Sequence, residues 1–298
     1  MVVILPFRTK NRLQKLTISA IFIRNREQCN PAGSTFIERF CDNLFMESTP
    51  NAQDRMRSIL LLVATVGTIV FNGLAATGYV NGVTPEVISD RYPTVLTPAG
   101  YAFSIWSLIY LGLISFSIYQ LLPRNLVRFR SVRSLYVITC VLNCSWIYFW
   151  HHDQLAFCLG LIFALLVTLI AILFQLHRSD DKGGALFTTA VFGIYAGWVT
   201  AATLVNFAIL LKSQNLEISS TVWNAIGVAA IMLAAGLGVL IRFKLRNFLY
   251  PLAIAWAAAA IAVNQSGNTA IVVAGSICVI VCLLMAISFV MDQKGSTE

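Results

Sequence analysis

The charged residues of this chain fall only in the gaps between long apolar runs, and that placement leaves few folds open. No Asp, Glu, Lys or Arg occurs from Pro98 to Pro123, from Ser134 to His152, from Gln154 to Leu176, from Gly183 to Leu211 or from Asn247 to Met291. Runs of about 20 apolar residues match the thickness of a bilayer's hydrocarbon core. Inside that core each backbone N–H and C=O has to be satisfied within its own segment, so each run is a helix. Charged residues make up 11% of the chain, against about 25% in soluble domains, which excludes an ordinary water-soluble globule. The net charge of +8 does not point to nucleic acid, because the basic residues sit in short connections beside the apolar runs, where they set membrane orientation.

Eight spans are expected, over residues 57–77, 99–122, 134–150, 154–176, 186–211, 222–241, 248–263 and 270–291, giving an all-α polytopic membrane helix bundle. The seventh is short and carries Pro251 in its first turn, where proline is tolerated. Of the 21 Lys and Arg, all but Arg91 and Lys212 lie in alternate connections. Positive residues favour the cytoplasmic side, so both termini are placed there. The membrane is the plasma membrane in a prokaryote or an organelle membrane in a eukaryote. The organisation read from this is a basic, poorly structured N-terminal segment, 1–55, of which residues 1–45 are expected to add nothing to the fold, a five-helix bundle over 56–211, and three further helices with a short tail over 212–298. Asp180-Asp181-Lys182-Gly183-Gly184 reads as a solvated inner turn.

Catalysis finds little support. The middles of the spans hold no acidic residue and no His, and no nucleophile–base spacing stands out, so no catalytic residue is assigned. Cys140/Cys144 and Cys278/Cys282 are spaced i, i+4 and each pair shares a helix face, yet buried thiols packing between helices account for them. No metal site is assigned.

Aromatic and amide residues do recur at helical spacing. Phe103, Trp106 and Tyr110 form one stripe, Asn143 and Trp146 a second, and Tyr195, Trp198 and Asn206 a third. Trp150 continues the second stripe but ends a span beside His151, which reads as part of an interfacial belt. An amide within the bilayer faces the bundle interior or a cavity. Apolar lining with a few converging polar groups is the chemistry of a ligand pocket. Helix packing accounts for the same stripes, and both readings stand on the residues alone. The small-residue runs of the last three spans, such as Ala234-Ala235-Gly236-Leu237-Gly238, read as packing surface rather than site.

Three of these stretches resemble a known family. Thr97-Pro98-Ala99-Gly100-Tyr101-Ala102-Phe103-Ser104-Ile105-Trp106, Leu142-Asn143-Cys144-Ser145-Trp146, and Tyr195-Ala196-Gly197-Trp198 followed by Asn206 are similar, in order and spacing, to motifs of the TspO/MBR family, the tryptophan-rich sensory proteins. The resemblance covers the first five spans, and the chain looks like a longer member with extra C-terminal spans. It implies a five-helix bundle that binds tetrapyrroles such as heme or porphyrin, in a pocket lined by Trp residues and opening near the first loop. Trp106, Asn143, Trp146, Trp198 and Asn206 fall on matching positions, and Pro98 and Gly100 would shape the entrance. Porphyrin propionates are anionic, and Arg91 flanks the second span, so Arg91 is expected as an entrance contact. The ligand-binding set is therefore Arg91, Pro98, Phe103, Trp106, Tyr110, Asn143, Trp146, Tyr195, Trp198 and Asn206.

The function expected is an intramembrane binding protein or sensor for a flat apolar ligand. A transporter of small hydrophobic molecules and a light-dependent porphyrin-degrading enzyme are the alternatives. No resident cofactor is expected beyond a tetrapyrrole as ligand. The partners are the lipid bilayer and the ligand, with no nucleic acid; a homodimer face is one use of the last three spans.

Overall fold

The computed structural model describes residues 50–178 and 185–294. Residues 1–49, 179–184 and 295–298 lie outside them, and with them the N-terminal segment to residue 49 and the stretch 180–184 expected as an inner turn. From Pro50 onward the chain is one compact unit. Among the described residues the elements are α1 Ala52–Ala76, α2 Pro85–Arg91, a 3₁₀ turn Gly100–Ser104 leading into α3 Ile105–Tyr119, a second 3₁₀ turn Pro123–Asn125, α4 Arg130–His151, α5 Leu155–Arg178, α6 Ala185–Ser213, α7 Ser220–Leu245, α8 Leu249–Asn264 and α9 Thr269–Lys294. Each of the eight expected spans corresponds to one of these helices in order, and the chain is a multi-pass integral membrane protein. Among the described residues, seven helices are long and apolar enough to cross a bilayer. The eighth, α8, has 16 residues, about 24 Å of helix.

Helix α1 begins five residues before the start read from hydropathy. The cause is a capping box. Asn51 Oδ1 accepts from the Asp54 N–H at 2.8 Å, and Asp54 Oδ2 accepts from the Asn51 N–H at 3.1 Å, satisfying two donors that a bare helix end leaves open. The longer helix brings Asp54 inside the bundle, where it is buried. Arg130 grips it with two nitrogens, Nε to Oδ1 at 2.9 Å and Nη2 to Oδ2 at 2.6 Å. Arg133, also buried, places Nη1 3.6 Å from Oδ1 and donates through Nε to Gln120 Oε1 at 2.9 Å. Gln120 in turn donates to the Ser58 carbonyl. One carboxylate thus ties the starts of α1 and α4 to the end of α3.

The helices pair as a chain of close neighbours: α1 with α4, α4 with α5, α5 with α6, α6 with α8, α8 with α9, and α9 with α7. α6 is the most buried of the long helices, because the last three helices pack on the side that a five-helix bundle would leave open. Two glycines permit this. A Cβ on Gly197 would collide with the Tyr250 carbonyl oxygen, and one on Gly193 with the Asn247 side-chain amide. Glycines four apart on one helix face let two backbones approach closely. Asn247 uses the contact: its Oδ1 accepts from the Leu249 and Tyr250 N–H groups, and its Nδ2 donates to the Thr189 carbonyl. The start of α8 is therefore capped and stapled to α6 by one side chain.

Candidate functional site

Four indole rings come together where α3, α4 and α6 converge. Tyr110, Trp106, Trp146 and Trp150 form a stacked ladder, with centroid separations of 5.5, 6.5 and 5.4 Å and interplanar angles of 19°, 28° and 23°. Trp198 meets Trp106 edge-on at 6.3 Å, and Phe103 meets Trp198 edge-on at 6.2 Å. Offset stacking and edge-to-face contact are the arrangements the ring quadrupole favours. Helical periodicity supplies the rows: 106 and 110 share a face of α3, and 146 and 150 share a face of α4.

Beside the ladder lies a cavity of about 40 Å³ lined by Phe103, Trp106, Trp146, Trp150, Trp198 and Asn206, with Pro98, Ser89, Ala201, Ala202 and Val205. Its remaining wall is Ala257 and Ile261 of α8. The last three spans are therefore not packing surface alone: α8 closes the pocket, and small side chains at Ala257 leave it open. A smaller cavity of about 20 Å³ shares Ala201, Val205, Ala257 and Ile261 with it. Ligand pockets measure about 300–1,000 Å³, so in this state the rings fill most of the space a ligand would use.

The polar groups at the cavity are few. Trp146 Nε1 donates to Asn206 Oδ1 at 3.1 Å, and Asn206 Nδ2 is spent on the Ala202 carbonyl one turn back. Trp150 Nε1 donates to the Pro85 carbonyl at 3.1 Å. Trp198 Nε1 is buried without a hydrogen-bond partner. A buried unpaired donor costs about 1–3 kcal/mol, and a ligand acceptor at that point would recover it.

Not every residue of the expected set lines the cavity. Asn143 lies behind the ladder, where its Oδ1 accepts from Asn72 at 2.7 Å and its Nδ2 donates to the Tyr195 hydroxyl at 3.0 Å. Tyr195 leans edge-on against Trp106 at 5.9 Å. Asn143, Tyr195 and Tyr110 thus hold Trp106 in place rather than face the void. Trp150, read as an interfacial belt residue, is 3% exposed and lines the cavity. The end of α4 is covered by α2, a helix hydropathy does not reveal; its signal is Thr84 as N-cap with Pro85 at the first helical position.

The α2 connection also shuts the mouth. Ile88 and Ser89 are buried against the bundle. Asn81 Nδ2 donates to the His151 carbonyl at 2.7 Å, and Arg91 Nη1 pairs with Asp153 Oδ2 at 2.7 Å. Arg91 thus stands at the entrance, with its charge taken up by Asp153. From the other side α8 is stitched to the same stretch: the Ala99 N–H donates to the Ala260 carbonyl, Asn264 to the Thr97 carbonyl and Gln265 to the Thr94 carbonyl. Both partners of the Arg91–Asp153 pair are more than a third exposed, and exposed pairs contribute about 0.2–1 kcal/mol. Asp153 has a left-handed backbone (φ 54°), which Asn tolerates and Ala does not, so Asp153→Asn is the clean test: it is expected to lower stability by less than about 1 kcal/mol, measured by thermal unfolding in detergent, and a larger loss would mean the pair is the main tie of the connection.

A comparison with curated proteins and with solved structures finds no match to the chain. A family model does match: that of the TSPO-like proteins, over residues 58–289. The matched stretch takes in all eight long helices, including the three beyond the part marked by the aromatic motifs. A pocket wall contributed by α8 is in keeping with one fold running through all of them, and the chain belongs to the TSPO-like family.

Proposed function

We propose that this protein is an intramembrane binding protein for a flat, largely apolar ligand, of which a tetrapyrrole is the leading candidate. The observation that carries the reading is the aromatic ladder bordering a largely apolar cavity with one orphaned indole N–H. Stacked rings offer planar surface on which a second planar system gains about 0.5–1.5 kcal/mol per ring pair. The loosest step of the ladder, Trp106 to Trp146 at 6.5 Å, is where a flat ring would insert. The unpartnered Trp198 Nε1 supplies the polar anchor, and Asn206, already bonded to Trp146, orients the ring beside it. Because the cavity is small, binding requires the rings to part, so the ligand-bound state is a distinct conformation. The distribution of Lys and Arg supports both termini on the cytoplasmic side, which puts the α2 connection on the opposite face.

The test is titration of the purified protein with protoporphyrin IX, followed through tryptophan quenching and the porphyrin's own absorbance. Saturable quenching with a stable porphyrin spectrum is expected. Trp146→Ala, which removes the ring on one side of the loosest step, is expected to weaken binding about tenfold, the loss of about 1.4 kcal/mol. Loss of the porphyrin spectrum under illumination would shift the reading to a porphyrin-degrading enzyme. Absence of quenching would remove the binding reading.

A further inference from the structure

The way into the cavity follows from which of its sides is sealed. The mouth under α2 is fastened by Asn81 to the His151 carbonyl, by Trp150 to the Pro85 carbonyl and by Arg91 to Asp153, and the stretch after it is held by three bonds between Thr94, Thr97 and Ala99 and the end of α8. The opposite condition holds on the flank between α3 and α8. There α8 packs on the 3₁₀ turn Gly100–Ser104 rather than along α3, and a groove of about 520 Å³ opens, lined by Ser104, Leu108, Ile194, Leu252, Trp256 and Leu283 among others. The lining carries no charged residue. Along α8 it reaches from Leu252 to Ala259, about 10 Å of helix rise. Leu108, Leu252, Trp256 and Leu283 are exposed, and in a membrane-spanning helix an exposed side chain faces acyl chains.

Groove and cavity share no lining residue, yet they are adjacent on three elements. Phe103 lines the cavity and Ser104 the groove; Ala257 lines the cavity and Trp256 the groove; Trp198 lines the cavity and Ile194, one turn away on α6, the groove. The two therefore lie side by side along each of these elements. The seam between them is closed by Trp256, whose Nε1 donates to the Ala102 carbonyl at 3.0 Å and whose ring meets Tyr101 edge-on at 5.4 Å. Ala102 also accepts the Ile105 N–H, so that carbonyl stays satisfied when the indole moves.

We propose that the cavity is loaded from the bilayer through this groove, with the Trp256 side chain as the gate. The proposal rests on the binding reading above and narrows its ligand to compounds that partition into the hydrocarbon layer, rather than water-soluble anions admitted past Arg91. A side chain on the path but outside the bound complex alters the barrier alone, so association and dissociation change together and the affinity is kept.

The experiment measures protoporphyrin IX binding and release by stopped-flow in liposomes containing the full chain. Ala259→Phe, and Ser104→Phe from the facing wall, fill the groove and are expected to slow both rates about tenfold, a barrier rise of about 1.4 kcal/mol, with Kd held within about twofold. Trp256→Ala is expected to speed both rates, which a misfolded protein would not do at constant Kd. Asp153→Asn, which removes the charge pairing at the α2 mouth and keeps a residue that tolerates the left-handed backbone there, is expected to leave the rates unchanged. Rates indifferent to the two Phe variants but raised by Asp153→Asn would overturn the portal while leaving the pocket intact. No binding by the unaltered protein would remove pocket and portal together.

Discussion

Asp54→Ala is expected to cost about 3–5 kcal/mol of stability, the range for removing one partner of a buried ion pair. The cost falls on Arg133 rather than Arg130. Arg130 has 28% of its side chain exposed and can turn toward water, whereas Arg133 has 2% and is held among Gln120 and Asn125. Loss of the carboxylate leaves a guanidinium buried with only neutral acceptors, and the capping box at Asn51 is lost with it. If that account is right, Arg133→Met in the Asp54→Ala background recovers much of the loss, because an apolar side chain of similar length removes the stranded charge. Unfolding by denaturing detergent would show it. A single variant as stable as the parent, or a double variant no better than the single, would place the anchoring of α1 elsewhere.

The second large effect is expected at Gly197. Gly197→Val should lift α8 from α6, since the first atom added meets the Tyr250 carbonyl oxygen and the next neighbour is Ala253 Cβ at 2.9 Å. Overpacking typically costs about 1–3 kcal/mol, and more where backbone has to move; here the obstacle is backbone. Because Ala257 and Ile261 are part of the cavity wall, porphyrin binding should fall along with stability. The contrast is Gly160→Ala in α5, where nothing lies within 4 Å of the added atom. That change is expected to be neutral or to stabilise by about 0.5–1 kcal/mol, the helix preference of Ala over Gly. Equal effects at the two sites would show that close helix approach is not what the α6 glycine provides.

These two positions also mark where sequence reading stops. Hydropathy and charge alternation find all eight long helices to within a few residues, because a bilayer demands one uninterrupted apolar run per crossing. They start α1 at residue 57 since Asp54 and Arg55 look like loop charges; the Asn51-x-x-Asp54 capping box is a local signal that hydropathy does not weigh, and the Arg130 partner that makes Asp54 an interior residue is brought to it only by the fold. The aromatic stripes announce a ring cluster, and Trp106, Trp146 and Trp198 do meet in it. Periodicity cannot separate rings that border the void from Tyr110, Asn143 and Tyr195, which brace Trp106 from behind, because both groups face inward. Trp150 is misassigned for a related reason: its position at a span end suggests an interface, and only α2 lying across it makes it interior. The share of α8 in the site has no local signal beyond small side chains, which serve packing and pocket walls alike.

Helix α8 has a consequence for the membrane itself. Its 16 residues give about 24 Å of helix, some 6 Å less than a typical hydrocarbon core of about 30 Å, while Leu252, Trp256 and Val263 face outward. Lipids along that flank must compress to cover it, and such hydrophobic mismatch costs a fraction of a kcal/mol for each Å. The other seven spans are long enough for an ordinary bilayer, so the mismatch is local, and the side on which the short helix lies is where the membrane is expected to thin.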